Sequence, residues 1–87
     1  MDQLRVKVSA AIANEWSNRA ITDVIPDLPK FDYRGCVLTV SISVAREILA
    51  DSEFNGDAKR GPEEMQGGTR RAYRATATQL RDALATL

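Results

Sequence analysis

The apolar positions change period once along the chain, and the other segments are arranged around that change. Between Gly35 and Phe54, Leu38, Val40 and Ile42 alternate with Thr39, Ser41 and Ser43 as in a strand with one dry face. Val44, Ile48 and Leu49 then fall at helical spacing. The pattern predicts a strand running directly into a helix. Ser43 is the expected boundary, because its hydroxyl can accept a hydrogen bond from one of the first backbone N–H groups of the helix, which no carbonyl within the helix reaches. Neither half buries its apolar face alone, so the flanking segments must supply the cover.

Upstream, Leu4, Val8, Ile12 and Trp16 recur every four residues with Ala11 and Ala20 beside them, one face of an amphipathic helix that Asp2 would cap. Leu4, Val6 and Val8 also alternate like a short strand. Ser9-Ala10-Ala11 follows without a turn signal and with strong helix formers, so a helix from Asp2 is expected. Pro26 and Pro29 make residues 22–30 a connector, since each removes a backbone donor and pushes its predecessor out of helical angles; Val24, Ile25 and Leu28 would dock it on the core. Phe31 to Tyr33 is the nearest partner for the central strand, joined to Cys36 through Arg34-Gly35 as a tight hairpin. Without that hairpin the strand would have to pair with another chain across a sheet edge.

Residues 55–69, NGDAKRGPEEMQGGT, hold four of the five glycines and form a long loop, with Pro62-Glu63-Glu64-Met65 able to make a single helical turn. Beyond it Tyr73, Ala77, Leu80, Leu84 and Leu87 lie within a stripe of roughly 80° on a helical wheel, which predicts a long last helix with Thr69 as its cap. The fold class expected is therefore α+β, one domain over residues 1–87: helix, short antiparallel hairpin, helix, glycine-rich loop and long C-terminal helix, the helices packed on one side of the strands.

Composition narrows the function more than the fold. With 44% apolar and 28% charged residues among 87, the chain has the make-up of an ordinary folded soluble domain with a small core. No apolar run is long enough to span a membrane and none resembles a secretory leader, so a cytoplasmic location is expected. Twelve basic and twelve acidic residues cancel, leaving no long-range field toward nucleic acid or an anionic membrane. The charge is nonetheless segregated: residues 45–66 carry three basic and six acidic side chains, and residues 67–87 four basic and one acidic.

The candidate chemistry is sparse. There is no histidine to serve as the usual general base, and the lone Cys36 at the start of an apolar strand reads as a packed thiol. Asp51, Glu53, Asn55 and Gly56 resemble the opening of an EF-hand calcium loop. Pro62 stands where the closing bidentate Glu belongs, so no metal is expected. Gly67-Gly68-Thr69 at a helix start is too short a signal for a phosphate loop, and no cofactor is expected.

What remains is a partner surface. On the last helix Arg70, Arg74 and Arg81 fall within roughly 40° of one another beside the apolar stripe, with Arg71 further round. Three guanidinium forks along about 16 Å suit an acidic patch or successive phosphates, or else pair internally with Glu47 and Asp51 of the central helix. Lys59 and Arg60 extend the basic set into the loop, and Trp16, packed in the core or part-exposed among Asn14, Glu15, Ser17 and Asn18, is a candidate contact anchor. Val6, Ala10, Ala13 and Ser17 form a small-residue side of the first helix suited to self-association.

The function expected is that of a small non-enzymatic interaction protein that binds, and inhibits or regulates, a larger protein partner. The alternative is a nucleic-acid-binding regulator using the arginines of the last helix, with homodimers through the first helix or a strand edge.

Overall fold

The structure, a computed structural model, describes residues 3–19, 30–32 and 37–87. The apolar connector with Val24, Ile25 and Leu28, the hairpin turn through Arg34-Gly35, and Cys36 lie outside the described residues. The elements run β1 (Gln3–Lys7), α1 (Ala10–Arg19), β2 (Lys30–Asp32), β3 (Val37–Ser41), α2 (Ile42–Gly56) and α3 (Gly67–Ala85).

The strands form one antiparallel sheet in the order β1-β3-β2, so the strand singled out by the change of period is the central one. β3 pairs with β2 through Lys30↔Thr39, Phe31↔Leu38 and Asp32↔Val37, the partner expected from sequence. On its other side it pairs with β1 from Gln3↔Ser41 to Lys7↔Val37. The central strand therefore finds both neighbours within its own chain.

The third strand corrects the reading of the N-terminal segment. Leu4 and Val6 are buried on one face of β1 while Gln3, Arg5 and Lys7 face solvent, a period of two, and only from Ala10 does the chain turn helical. Ser9 makes the switch, its Oγ accepting the Ile12 N–H at 3.2 Å. The four-residue recurrence misled because Leu4 and Val8 satisfy a strand's alternation, through Val6, as well as they satisfy a helix. The small-residue side drawn through Val6, Ala10, Ala13 and Ser17 consequently does not exist as a helix face: Val6 is a buried strand residue, and Ala10 opens α1.

The β3–α2 junction uses the same device two residues earlier than expected. Ser41, not Ser43, is the cap, and its Oγ accepts the Val44 N–H at 3.2 Å. Ser41 is also the last residue paired to β1, so strand and helix share it. α3 likewise begins at Gly67, with Gln66 rather than Thr69 at the cap position and no side-chain cap. The first N–H groups of any helix lack intrahelical partners, so the low helix propensity of Gly67 and Gly68 costs little there.

The core lies between the buried sheet face and the helices. Leu4, Val6, Leu38 and Val40 from the sheet meet Ile12 and Trp16 of α1, Ala45 and Ile48 of α2, and Tyr73 and Leu80 of α3 in one cluster. All three helices thus cover one side of the strands. α2 and α3 pack antiparallel: Glu53 meets Arg81 and Gly56 meets Arg74. Gly56 permits that closeness, because a Cβ there would lie 2.7 Å from Arg74 Cγ and 3.1 Å from the Arg74 nitrogen. Among the described residues no helix is long and apolar enough to cross a membrane.

Candidate interaction site

The loop between α2 and α3 is held from inside by the first turn of α3. Arg70 sits at the edge of that helix's buried arc and is only 8% exposed. Its guanidinium donates to the Asn55 carbonyl at 3.1 Å, to the Asp57 carbonyl at 2.8 Å, and to the Pro62 carbonyl. One side chain therefore ties down the end of α2, the start of the loop and its middle. Gly61 makes room for this arrangement: a Cβ there would come within 2.7 Å of Arg70 Nη1 and of the Phe54 carbonyl oxygen, and 2.8 Å from that of Asp57.

Asp57 builds the turn that follows. Its Oδ1 accepts the Lys59 N–H at 2.8 Å and the Arg60 N–H at 3.3 Å, its Oδ2 accepts Arg60 Nε at 2.6 Å, and its carbonyl accepts the Gly61 N–H at 2.8 Å. These donors, the Lys59 amide first and the Arg60 guanidinium next, hold the Asp57 carboxyl down at about 2, below its ordinary 3.8. Pro62 to Met65 form a single turn, with the Met65 N–H reaching the Pro62 carbonyl at 3.4 Å. The loop is long, but Asp57, Lys59, Arg60, Gly61, Pro62, Met65 and Gln66 are each hydrogen-bonded.

The expected arginine flank is divided by this geometry. Arg70 is committed to loop carbonyls and is not available to a partner. Arg81 pairs with Glu53 at 3.0 Å, both half-exposed, and Arg60 pairs with Asp57. The acid that meets the flank is thus Glu53, rather than the Glu47 and Asp51 expected from sequence. Lys59, Arg71 and Arg74 are exposed and have no carboxylate partner among the described residues. Arg60, Arg74 and Arg81 line an open hollow of about 450 Å³ together with Glu53 and Asp57.

Trp16 is placed differently from a contact anchor. It is 1% exposed, packed in the core with Ile12 and the sheet, so the indole offers nothing to a partner. Of its polar neighbours in sequence, Asn14 is exposed and Glu15 half-exposed.

The resemblance to a calcium loop dissolves in α2, where Asp51, Glu53 and Asn55 are helical residues and Asn55 Nδ2 donates to the Asp51 carbonyl at 2.8 Å. No three potential metal ligands cluster among the described residues.

A second hollow, of about 840 Å³, lies on the other side of the loop between α1 and α2. Phe54 is exposed by 48% at its rim. The sequence carried a signal for it: Phe54 lies roughly 140° round the helix from the centre of the buried arc of Val44, Ala45, Ile48 and Ser52, so it cannot be a core residue of α2.

The chain matches no family model, no curated protein and no solved structure.

Proposed function

We propose that this protein is a small non-enzymatic interaction module that binds and regulates a larger protein through the loop of residues 57–66 and the adjoining Arg71 and Arg74 side of α3. The observation that carries the reading is the use made of Arg70: a buried cation is spent wholly on two loop carbonyls and one at the end of α2. That tie orders an exposed, charged segment which contributes little to the core. A loop ordered before binding loses less conformational entropy when it docks, which favours recognition. Lys59, Arg71 and Arg74 are the cations left without a carboxylate partner among the described residues, and an acidic patch on a partner is their natural complement.

A phosphate-tracking role is less well supported. Of the basic side chains of this region Arg70, Arg60 and Arg81 already have partners, so few remain to displace counterions from a nucleic acid.

Affinity capture with the wild-type chain, with Lys59→Glu/Arg60→Glu and with Arg74→Glu tests the proposal, circular dichroism serving as the check on folding. A protein partner retained by the wild type and lost from both folded variants is the expected result. A partner set untouched by either variant refutes it. Binding to a labelled duplex that weakens steeply between about 50 and 200 mM salt would instead assign the surface to nucleic acid.

A further inference from the structure

The hollow between α1 and α2 is a feature of the packing and not a gap in it. Both helices rest on the sheet or on α3, yet among the described residues no contact within 8 Å between Cα atoms joins α1 to α2. The space left, about 840 Å³, is within the range of roughly 300–1,000 Å³ typical of ligand sites, and it is partly open to solvent. Ala11, Phe54, Pro62 and Met65 are the apolar residues among its described lining. Phe54 and Leu87 are the large hydrophobic residues left exposed among the described residues, and Phe54 is the one that sits in a concavity.

The charge of the walls selects the occupant. Glu15 of α1 and Glu64 of the loop line the hollow from opposite sides, and Asp51, itself engaged within the fold, adds a third carboxylate. No Lys or Arg is among its described lining residues. In a chain of zero net charge this is a local concentration of one sign, set beside apolar surface. Phosphate-bearing ligands are repelled by it. An amphipathic helix carrying Leu or Phe on one face and Lys or Arg on its flanks matches both features, laying its apolar side chains against Phe54 and Met65 while its cations meet Glu15 and Glu64.

We infer that this groove is a docking site for a basic amphipathic segment of a partner protein. The groove shares Pro62, Glu64, Met65 and Gln66 with the loop but neither Lys59 nor Arg74, and it does not depend on their side of the loop being functional.

Selection from a displayed library of random peptides, about 12–16 residues or three to four helical turns long, tests the inference. Wild-type protein is the bait and Phe54→Ala the counter-bait. Phe54 is half-exposed, so its truncation should leave the fold intact; Glu15→Lys/Glu64→Lys provides a second variant that leaves the apolar surface in place. The expected consensus is one or two large apolar residues flanked by Lys or Arg. Fluorescence anisotropy with a selected peptide should show affinity falling by about tenfold or more in each variant, as for loss of a central contact. Arg74→Glu should leave that affinity unchanged, which separates failure here from failure of the loop surface.

Acidic or purely polar peptides, or peptides that bind Phe54→Ala as well as wild type, would overturn the assignment. So would a dimer of the wild type that Phe54→Ala dissolves, since the groove would then belong to a second copy of the chain, or binding of an oligonucleotide abolished by the same change.

Discussion

Replacing Arg70 by alanine removes all three of its guanidinium bonds, to the end of α2 and to the loop, at once. The Asn55 carbonyl it leaves behind is buried, and a buried acceptor without a donor costs about 1–3 kcal/mol. The Asp57 and Pro62 carbonyls are only partly buried, so water can replace the guanidinium there, and the net loss for each is nearer 1 kcal/mol. Allowing for relaxation of the loop, the total comes to roughly 3 kcal/mol, a large share of the 5–15 kcal/mol that holds a domain together. With a urea dependence of about 1 kcal/mol/M, the unfolding midpoint should fall by about 3 M. Arg70→Lys keeps the charge but presents a single ammonium in place of a fork, and should lose about half as much. Limited trypsin digestion supplies an independent reading, because Lys59 and Arg60 are exposed cleavage sites inside the tied segment. Cleavage there should accelerate in Arg70→Ala under conditions where the core remains folded. A midpoint shift equivalent to less than about 0.5 kcal/mol, the range of ordinary surface changes, together with unchanged cleavage, would refute the tie.

Gly56→Ala should destabilise by about 1–3 kcal/mol in the same urea experiment, because the added methyl meets the Arg74 backbone across the α2–α3 contact. Trp16→Ala should cost about 3–5 kcal/mol, and wild-type Trp16 fluorescence should be blue-shifted and poorly quenched by iodide, as a core indole requires. The hydroxyls of Ser52 and Thr76 are buried without hydrogen-bond partners among the described residues, so Ser52→Ala and Thr76→Val should raise stability by about 1 kcal/mol together, measured by the thermal midpoint. Asp57 sets a pH dependence of definite sign. Its folded value of about 2 lies below the ordinary 3.8, so its contribution is present above pH 4 and lost as pH falls from about 4 toward 2. In an NMR titration the Lys59 and Arg60 amide shifts should move with a midpoint near 2, a movement Asp57→Asn abolishes.

The legibility of the fold followed from how uniquely each pattern maps to a period. β3, α2 and α3 carry patterns that only one period satisfies, and their existence and order could be read directly. The first segment could not, because Leu4, Val8, Ile12 and Trp16 fit one helix as well as they fit a strand and a helix joined at Ser9. Repetition of the Ser9 device at Ser41 shows which signal mattered: a serine between two apolar periods marks the change of element more reliably than the absence of a turn motif. The site was less legible. Arg70, Arg74 and Arg81 occupy one side of the wheel alike, and nothing in their spacing distinguishes the one whose neighbours are backbone carbonyls. Those carbonyls belong to Asn55, Asp57 and Pro62, whose positions depend on how the loop folds back over α3.

The separation of charge seen along the sequence survives folding for a geometric reason. The buried arc of α2 runs roughly 120° from Val44 to Gly56, and its two borders carry different acids. Glu53 lies beyond the Gly56 border, which faces the arginine side of α3, and there it meets Arg81. Asp51 lies beyond the Val44 border, turned toward α1, where it joins Glu15. The apolar residues between the borders, Ala45 and Ile48, cluster with Tyr73 and Leu80 of α3 and keep the two sets apart. Antiparallel packing of an acidic segment against a basic one therefore does not neutralise them. It leaves a carboxylate-lined groove on one side of the loop and an arginine-lined hollow on the other, with the loop as the wall between. Because Arg70 fixes that wall, the shapes of both hollows depend on a residue that is in the lining of neither.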